Sequence, residues 1–315
     1  MFLFVVLVPF WVQASELSHR ERESLAREAE TAFQAGRYED ARQKWSAALA
    51  DGASRAEKRL WIPALGRAYE AEGNFQKALA SFQEAYDAAP TEVDRMVDLA
   101  RLYDAVEMDD QAIRFYAEAH QRNRDRRDVS LALARLHKQG GRLAEARGLA
   151  DAAVRAEPRD FSAQELLAEI EEAQGNLGDA SRRRESIVSQ RPTAEGYMKL
   201  GYLWARQDAF EQADIAFSRA EQVGIAGPEA HFEQAVLAWR QGDRPRAALF
   251  IEQTEKMSPG YFPAGFLGGL LALEAGDTSR AEARLDPMVA PDAEARKWRD
   301  ILEVGIVGYT AGGNP

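Results

Sequence analysis

Small and aromatic residues return along this chain in a fixed order, and the pattern predicts paired helices. The clearest copy, residues 62–90, reads Leu65-Gly66, Tyr69, Gly73, Phe75, Ala78, Phe82, Ala85 and Pro90. Apolar positions fall three and four residues apart on either side of Gly73, which is the spacing of amphipathic helices. The residue between the two halves recurs at a nearly constant interval as Gly73, Glu107, Gly141, Gly175, Asp208, Gly242 and Gly276. A period of about 34 residues predicts helix pairs stacked into a solenoid. Gly73 is expected in the positive-φ conformation that ends a helix. Pro90 is expected to stop the second helix and turn the chain into the next unit. Gly66 and Ala78 let the two helices approach, while Tyr69, Phe75 and Phe82 fill the space beside them.

The period divides the chain into units at 21–58, 59–92, 93–126, 127–160, 161–193, 194–227, 228–261 and 262–290. The first unit is a weaker copy (Ala29, Ala32, Gly36, Tyr38, Ala41, Trp45, Ala48), and the eighth is degenerate. Residues 291–308 predict a closing helix with Trp298, Ile301 and Leu302 on one side, as a terminal cap requires. The Gly-rich tail 309–315 is expected to be disordered. Ahead of the repeats, Phe2 to Trp11 is apolar throughout and is followed by Val12-Gln13-Ala14. This is the length of a signal-peptide core with a cleavage site, and it falls short of the ~20 apolar residues that span a bilayer. Residues 1–14 therefore read as an export signal. A buried first helix is the competing reading, and Pro9 and the missing polar face count against it.

These residues and their register resemble the tetratricopeptide repeat family over roughly 22–290. The resemblance implies an all-α, right-handed superhelical solenoid of about eight helix-turn-helix repeats with a C-terminal capping helix. The chain departs from the family pattern at Glu107 and Asp208 in the turns, at His137 and Glu171 where a large aromatic is usual, and at Arg184 where a core aromatic is expected. The resemblance also implies a groove lined by the first helix of each pair, faced by the residue after the small Gly or Ala. That residue is Arg67, Arg101 and Arg135 in three successive units, then Glu169, Tyr202, Val236 and Leu270. One turn earlier the later units present Met198, Phe232 and Phe266, and just after it Trp239 and Leu273. The candidate partner-binding residues are thus Arg67, Arg101, Arg135, Met198, Tyr202, Phe232, Trp239, Phe266 and Leu270.

Two readings of the arginines stay open at this point. A ladder with steps of about 10 Å suits the carboxylates of an acidic partner segment, which a guanidinium fork meets in bidentate fashion. Alternatively each Arg pairs with Glu70, Asp94, Asp98, Asp104 or Asp128, and exposed pairs contribute only about 0–1 kcal/mol. Family modules that grip a terminal carboxylate use paired Lys and Asn; the matching positions here are Pro63, Arg67, Val97, Arg101, Leu131 and Arg135, without Asn. The apolar stretch Tyr261 to Ala275 is either covered by the closing helix or an exposed seat for a partner or a second copy.

Composition narrows the function classes. A net charge of −11 argues against a general nucleic-acid binder. The absence of Cys excludes thiolate metal sites, thiol nucleophiles and disulfides. The histidines, His19, His120, His137 and His231, lack metal-ligand spacing. No phosphate-binding loop, Ser–His–Asp order or dinucleotide fingerprint is present. No catalytic residue, metal or cofactor is expected. The sequence predicts a non-catalytic scaffold for a protein or peptide partner. With the export signal, the resemblance points to a bacterial envelope system for polysaccharide, pilus or protein export. A cytoplasmic scaffold and a self-assembling structural subunit are the alternatives.

Overall fold

The computed structural model describes residues 17–50, 52–224 and 227–285, with 295–297, 299, 302 and 303 beyond them. The export-signal segment 1–14, Trp298 and Ile301 of the expected closing helix, and the tail 309–315 lie outside the described residues. Among the described residues every bounded element is an α-helix, and no helix is long and apolar enough to cross a membrane. The chain divides into two compact units that meet in sequence at Ala153 and Val154. The first holds α1 (His19–Gln34), α2 (Tyr38–Ala48), α3 (Arg55–Ala71), α4 (Phe75–Ala88), α5 (Val93–Ala105), α6 (Asp109–Arg122), α7 (Arg127–Gln139) and most of α8 (Leu143–Ala156). The second holds α9 (Phe161–Ala173), α10 (Leu177–Gln190), α11 (Ala194–Arg206), α12 (Phe210–Val223), α13 (Gly227–Arg240), α14 (Arg244–Met257), α15 (Phe262–Glu274) and α16 (Thr278–Leu285).

Local chemistry sets the helix ends. Ser18 and Ser54 each form a capping box, with Glu21 and Glu57 closing back on the cap backbone. Asn74, Asp160, Thr193 and Asp243 accept first-turn amides through their side chains. The turn inside each pair needs a left-handed residue, and Gly73 supplies it at φ 76°. Glu107 and Asp208 adopt the same conformation at φ 59° and 56° although they carry Cβ atoms. The register therefore holds at both departures, and the backbone there is strained.

Within each unit consecutive helices pack as pairs, and a second helix then meets the first helix of the next pair. The close approach is made by small residues. A Cβ added to Gly66 would lie 2.6 Å from the Phe82 ring, and one added to Gly201 would lie 2.5 Å from the Phe217 ring. In the first unit the core runs through Phe82, Met96, Leu99, Leu102, Phe115, Tyr116, Val129 and Leu133. In the second it runs through separate clusters around Tyr197 and Leu200, Phe217 and Leu237, and Ile251 and Leu267. Burying one such side chain stabilises by roughly 1.5–3 kcal/mol.

The helix pair α9–α10 replaces aromatic packing with ion pairs. Glu171 is 1% exposed and Arg184 is 3% exposed. Arg183 donates to both carboxylate oxygens of Glu171 at 3.0 and 2.9 Å, while Arg184 donates to Glu165 at 2.7 Å and lies 3.6 Å from Glu172. Buried charges are tolerated only when paired in this way. At the far end, Leu302 is buried against α15, where a Cβ on Gly269 would meet it at 2.5 Å. That contact covers part of the apolar helix. Phe262 and Phe266 pack against the same cluster, stack on each other at 6.4 Å and stay half-buried.

Candidate functional site

The candidate residues fall into two sets, one in each unit, on the first helices of successive pairs. In the first unit α3, α5 and α7 carry Arg67, Arg101 and Arg135, with Arg67 half-buried and the other two exposed. The ladder is not bare. Arg67 Nη1 lies 3.8 Å from Asp98 Oδ1, and Arg95 Nη1 lies 3.6 Å from Asp98 Oδ2. Arg101 donates to Glu70 at 2.8 Å and lies 4.0 Å from Asp98. Arg126 ties Asp94 and Asp128 at 2.7 and 2.8 Å.

The Asp98 side chain is 14% exposed. Burial pushes its carboxyl above the usual range even though three guanidinium groups oppose the shift. Glu70 is raised by burial too, with Asp98 adding to the effect against Arg101 and Arg67. Asp104 is raised by burial and by Asp109, against Arg135. In the folded chain Arg67 and Arg101 thus stand beside the molecule's own carboxylates. An acidic partner would have to compete with carboxylates already in place. Tyr116 beneath this lattice is pushed up to about 12, first by burial and then by Asp104.

In the second unit α11, α13 and α15 present a different surface. Met198, Phe232, Trp239, Phe266 and Leu270 are half-buried, and Tyr202 is 40% exposed. Tyr202 meets Phe217 edge-on at 5.5 Å, and Phe232 meets Tyr261 edge-on at 5.8 Å. Trp239 donates its indole N–H to Glu274 at 3.4 Å, under the Arg244 guanidinium 5.6 Å from its ring. The structure thus sets Tyr202 against Phe217, Phe232 against Tyr261 and Trp239 beside Glu274.

Glu233 is the residue that sequence reasoning missed. It is half-buried on α13 and hydrogen-bonded to Tyr202. Burial raises its carboxyl, and the Tyr202 hydrogen bond opposes the shift. Tyr202 is raised by burial and by the Glu233 charge, and Tyr261 by burial, Glu229 and Glu233. The signal for Glu233 was present in the register. It follows Tyr202 by the same sequence offset that carries Arg67 to Asp98.

The histidines stay apart. His19 Nδ1 lies 2.9 Å from Glu57, His120 Nδ1 lies 3.1 Å from the Ser130 hydroxyl, and His231 pairs with Glu221 at 2.5 Å. His137 fills its aromatic slot half-buried, and burial together with Arg142 holds its pKa below the ordinary value. Among the described residues no three metal-ligating side chains converge.

Two family models described as tetratricopeptide repeat match residues 27–93 and 109–170. A solved tetratricopeptide repeat protein from Parabacteroides merdae is 17% identical, with 79% of this chain and 98% of its own covered and a TM-score of 0.58. The PilF structure from Pseudomonas aeruginosa is 19% identical, covering 67% of this chain and 96% of its own at a TM-score of 0.51. A structure of Naa15/Naa10 bound to HypK covers 92% of this chain and 47% of its own at 15% identity and a TM-score of 0.51. At these identities the likeness is one of fold. No curated protein matches the sequence.

Proposed function

The chain is a tetratricopeptide repeat protein, and from that premise we propose that it is a non-catalytic scaffold holding a partner segment against its first helices. The observation that carries this reading is the second unit's surface. Six candidate positions there are aromatic or aliphatic, and all remain partly exposed in the folded chain. Partly exposed aromatic anchors flanked by polar groups are the usual makeup of a binding surface. In the first unit the lattice of paired Arg and carboxylate offers alternating charge, which sets register and orientation more than affinity.

The scaffold belongs to a bacterial envelope assembly or export system, on the support of the apolar run Phe2 to Trp11 and the small-residue site at Val12-Gln13-Ala14. Recovery from the periplasm with a mature mass starting at Ser15 fits that location. Recovery from the cytosol with residues 1–14 retained overturns the location and leaves the scaffold reading standing.

The scaffold reading is tested by a photo-crosslinking residue placed at Val236 on α13, and separately at exposed Ile215 on α12, in the full chain inside cells. Val236 is expected to give a discrete adduct and Ile215 none. Adducts from Ile215 with none from Val236 overturn it.

A further inference from the structure

In the register of Asp98 the second unit places a carboxylate with a different neighbour. In the first unit Asp98 on α5 faces Arg67 from the preceding first helix. Glu233 on α13 occupies the matching register, and the residue at the same offset before it is Tyr202 on α11. A tyrosine hydroxyl can share a hydrogen bond with the carboxylate and cannot neutralise its charge. Among the described residues Glu233 has no cationic partner.

The nearby cations are committed elsewhere. Lys199 holds Glu195 at 2.6 Å, Arg206 pairs with Glu172, and Arg240 pairs with Asp208 at 2.6 Å while covering Phe210. The Glu233 charge acts on both Tyr202 and Tyr261, Phe232 beside it in the chain meets Tyr261 edge-on at 5.8 Å, and Glu229 adds a second negative charge felt by both tyrosines. A half-buried carboxylate without a counter-charge is costly. Electron-rich aromatic faces beside it attract a cation that can also shed its water.

We propose that this cluster is the seat for an arginine side chain supplied by the partner segment, its guanidinium on Glu233 and its plane against Tyr202 and Tyr261. The guanidinium is favoured over an ammonium because the molecule fills the equivalent register with Arg67, and because a planar, weakly hydrated fork suits both carboxylate and ring. This deepens the scaffold reading and rests on it. The partner's contribution at this point is basic, whereas the first unit carries its own guanidinium groups.

The test titrates the full chain with the capped tripeptide acetyl-Ala-Arg-Ala-amide and with its citrulline and lysine counterparts. Binding is followed through the ring resonances of Tyr202 and Tyr261. The arginine peptide is expected to shift both saturably, and the isosteric, uncharged citrulline peptide to bind about tenfold more weakly or worse. Glu233→Gln is expected to remove the discrimination between the two. Tyr202→Arg, which installs the Arg67–Asp98 arrangement, is expected to abolish arginine binding while the unfolding midpoint stays level or rises. Equal binding of arginine and citrulline peptides, or undiminished arginine binding by Glu233→Gln, overturns the seat. Equal binding of the lysine peptide overturns the guanidinium assignment. If the Val236 adduct persists while arginine discrimination is absent, the seat fails and the scaffold reading survives. If Val236 gives no adduct and Ile215 does, the scaffold reading fails whatever the peptides show.

Discussion

Replacing Gly66 by Ala would place a methyl carbon 2.6 Å from Phe82 Cε1, 2.8 Å from Cδ1 and 3.1 Å from Cζ. Ordinary carbon contacts begin near roughly 3.5 Å, so the ring has to retreat by about 1 Å. Phe82 is fully buried between α3 and the α5 core and has nowhere to retreat without displacing its neighbours. Overpacking of this kind costs about 1–3 kcal/mol. Against it stands a helix-propensity gain of about 1 kcal/mol for Gly to Ala. The net expectation for Gly66→Ala is a destabilisation of roughly 1–2 kcal/mol.

The molecule supplies its own control. Gly148 is exposed inside α8, and a Cβ there meets nothing within 4 Å. Gly148→Ala therefore keeps only the propensity gain and should stabilise by about 0.5–1 kcal/mol. Urea unfolding followed by circular dichroism compares the two at matched m-values. Adding Phe82→Leu to Gly66→Ala should recover about 1 kcal/mol or more relative to the sum of the single changes. If Gly66→Ala stabilises as Gly148→Ala does, the small-residue lock between paired helices is wrong.

Glu107→Gly should stabilise by about 0.5–1 kcal/mol in the same assay, because it relieves a left-handed backbone at φ 59°. Asp208→Gly should gain less, because it also removes the 2.6 Å pair with Arg240. Arg67→Ala combined with Arg101→Ala leaves Asp98 facing Arg95 alone, so its raised carboxyl climbs further. The added penalty exists only while Asp98 is ionised. The melting-temperature deficit of the double variant should therefore be larger at pH 7 than at pH 4, and an equal deficit at both refutes the pairing. Glu57 behaves with the opposite sign. Its carboxyl is held at about 2, first by the Ser54 backbone amide and then by His19. The depressed value contributes stability that is fully present above the unfolded pKa near 4.5 and is lost as pH falls towards 2. The deficit of Glu57→Gln relative to wild type should shrink over that window, and a pH-independent deficit contradicts it.

The architecture was legible because the period fixes one small residue and one turn per pair, and these are local demands. Glu107 and Asp208 could be placed in turns although neither is Gly, because the register around them was intact. The pairing of Arg67 with Asp98 and of Arg101 with Glu70 was present as one of two open readings, without the partners assigned. It depends on the offset between neighbouring first helices, which no single helix encodes. The same limit hid Arg183 as the partner of Glu171, since the departure from an aromatic was visible and its compensation was not. Glu233 was overlooked because Tyr202 was read as one of a row of apolar positions. A tyrosine opposite a carboxylate looks unremarkable until the step from Arg67 to Asp98 is laid over it.

The central claim is that the first helices, rather than the second, hold the partner. It is tested most directly by the affinity of the segment captured through Val236 for two sets of alanine variants. One set is Tyr202→Ala, Phe232→Ala and Trp239→Ala on α11 and α13. The other is Ile215→Ala, Leu249→Ala and Met257→Ala, three exposed apolar side chains on α12 and α14. The first set should weaken binding by about tenfold or more each, as anchors at the centre of an interface do. The second should change it by less than about twofold. Loss of binding in the second set with affinity retained in the first contradicts the account.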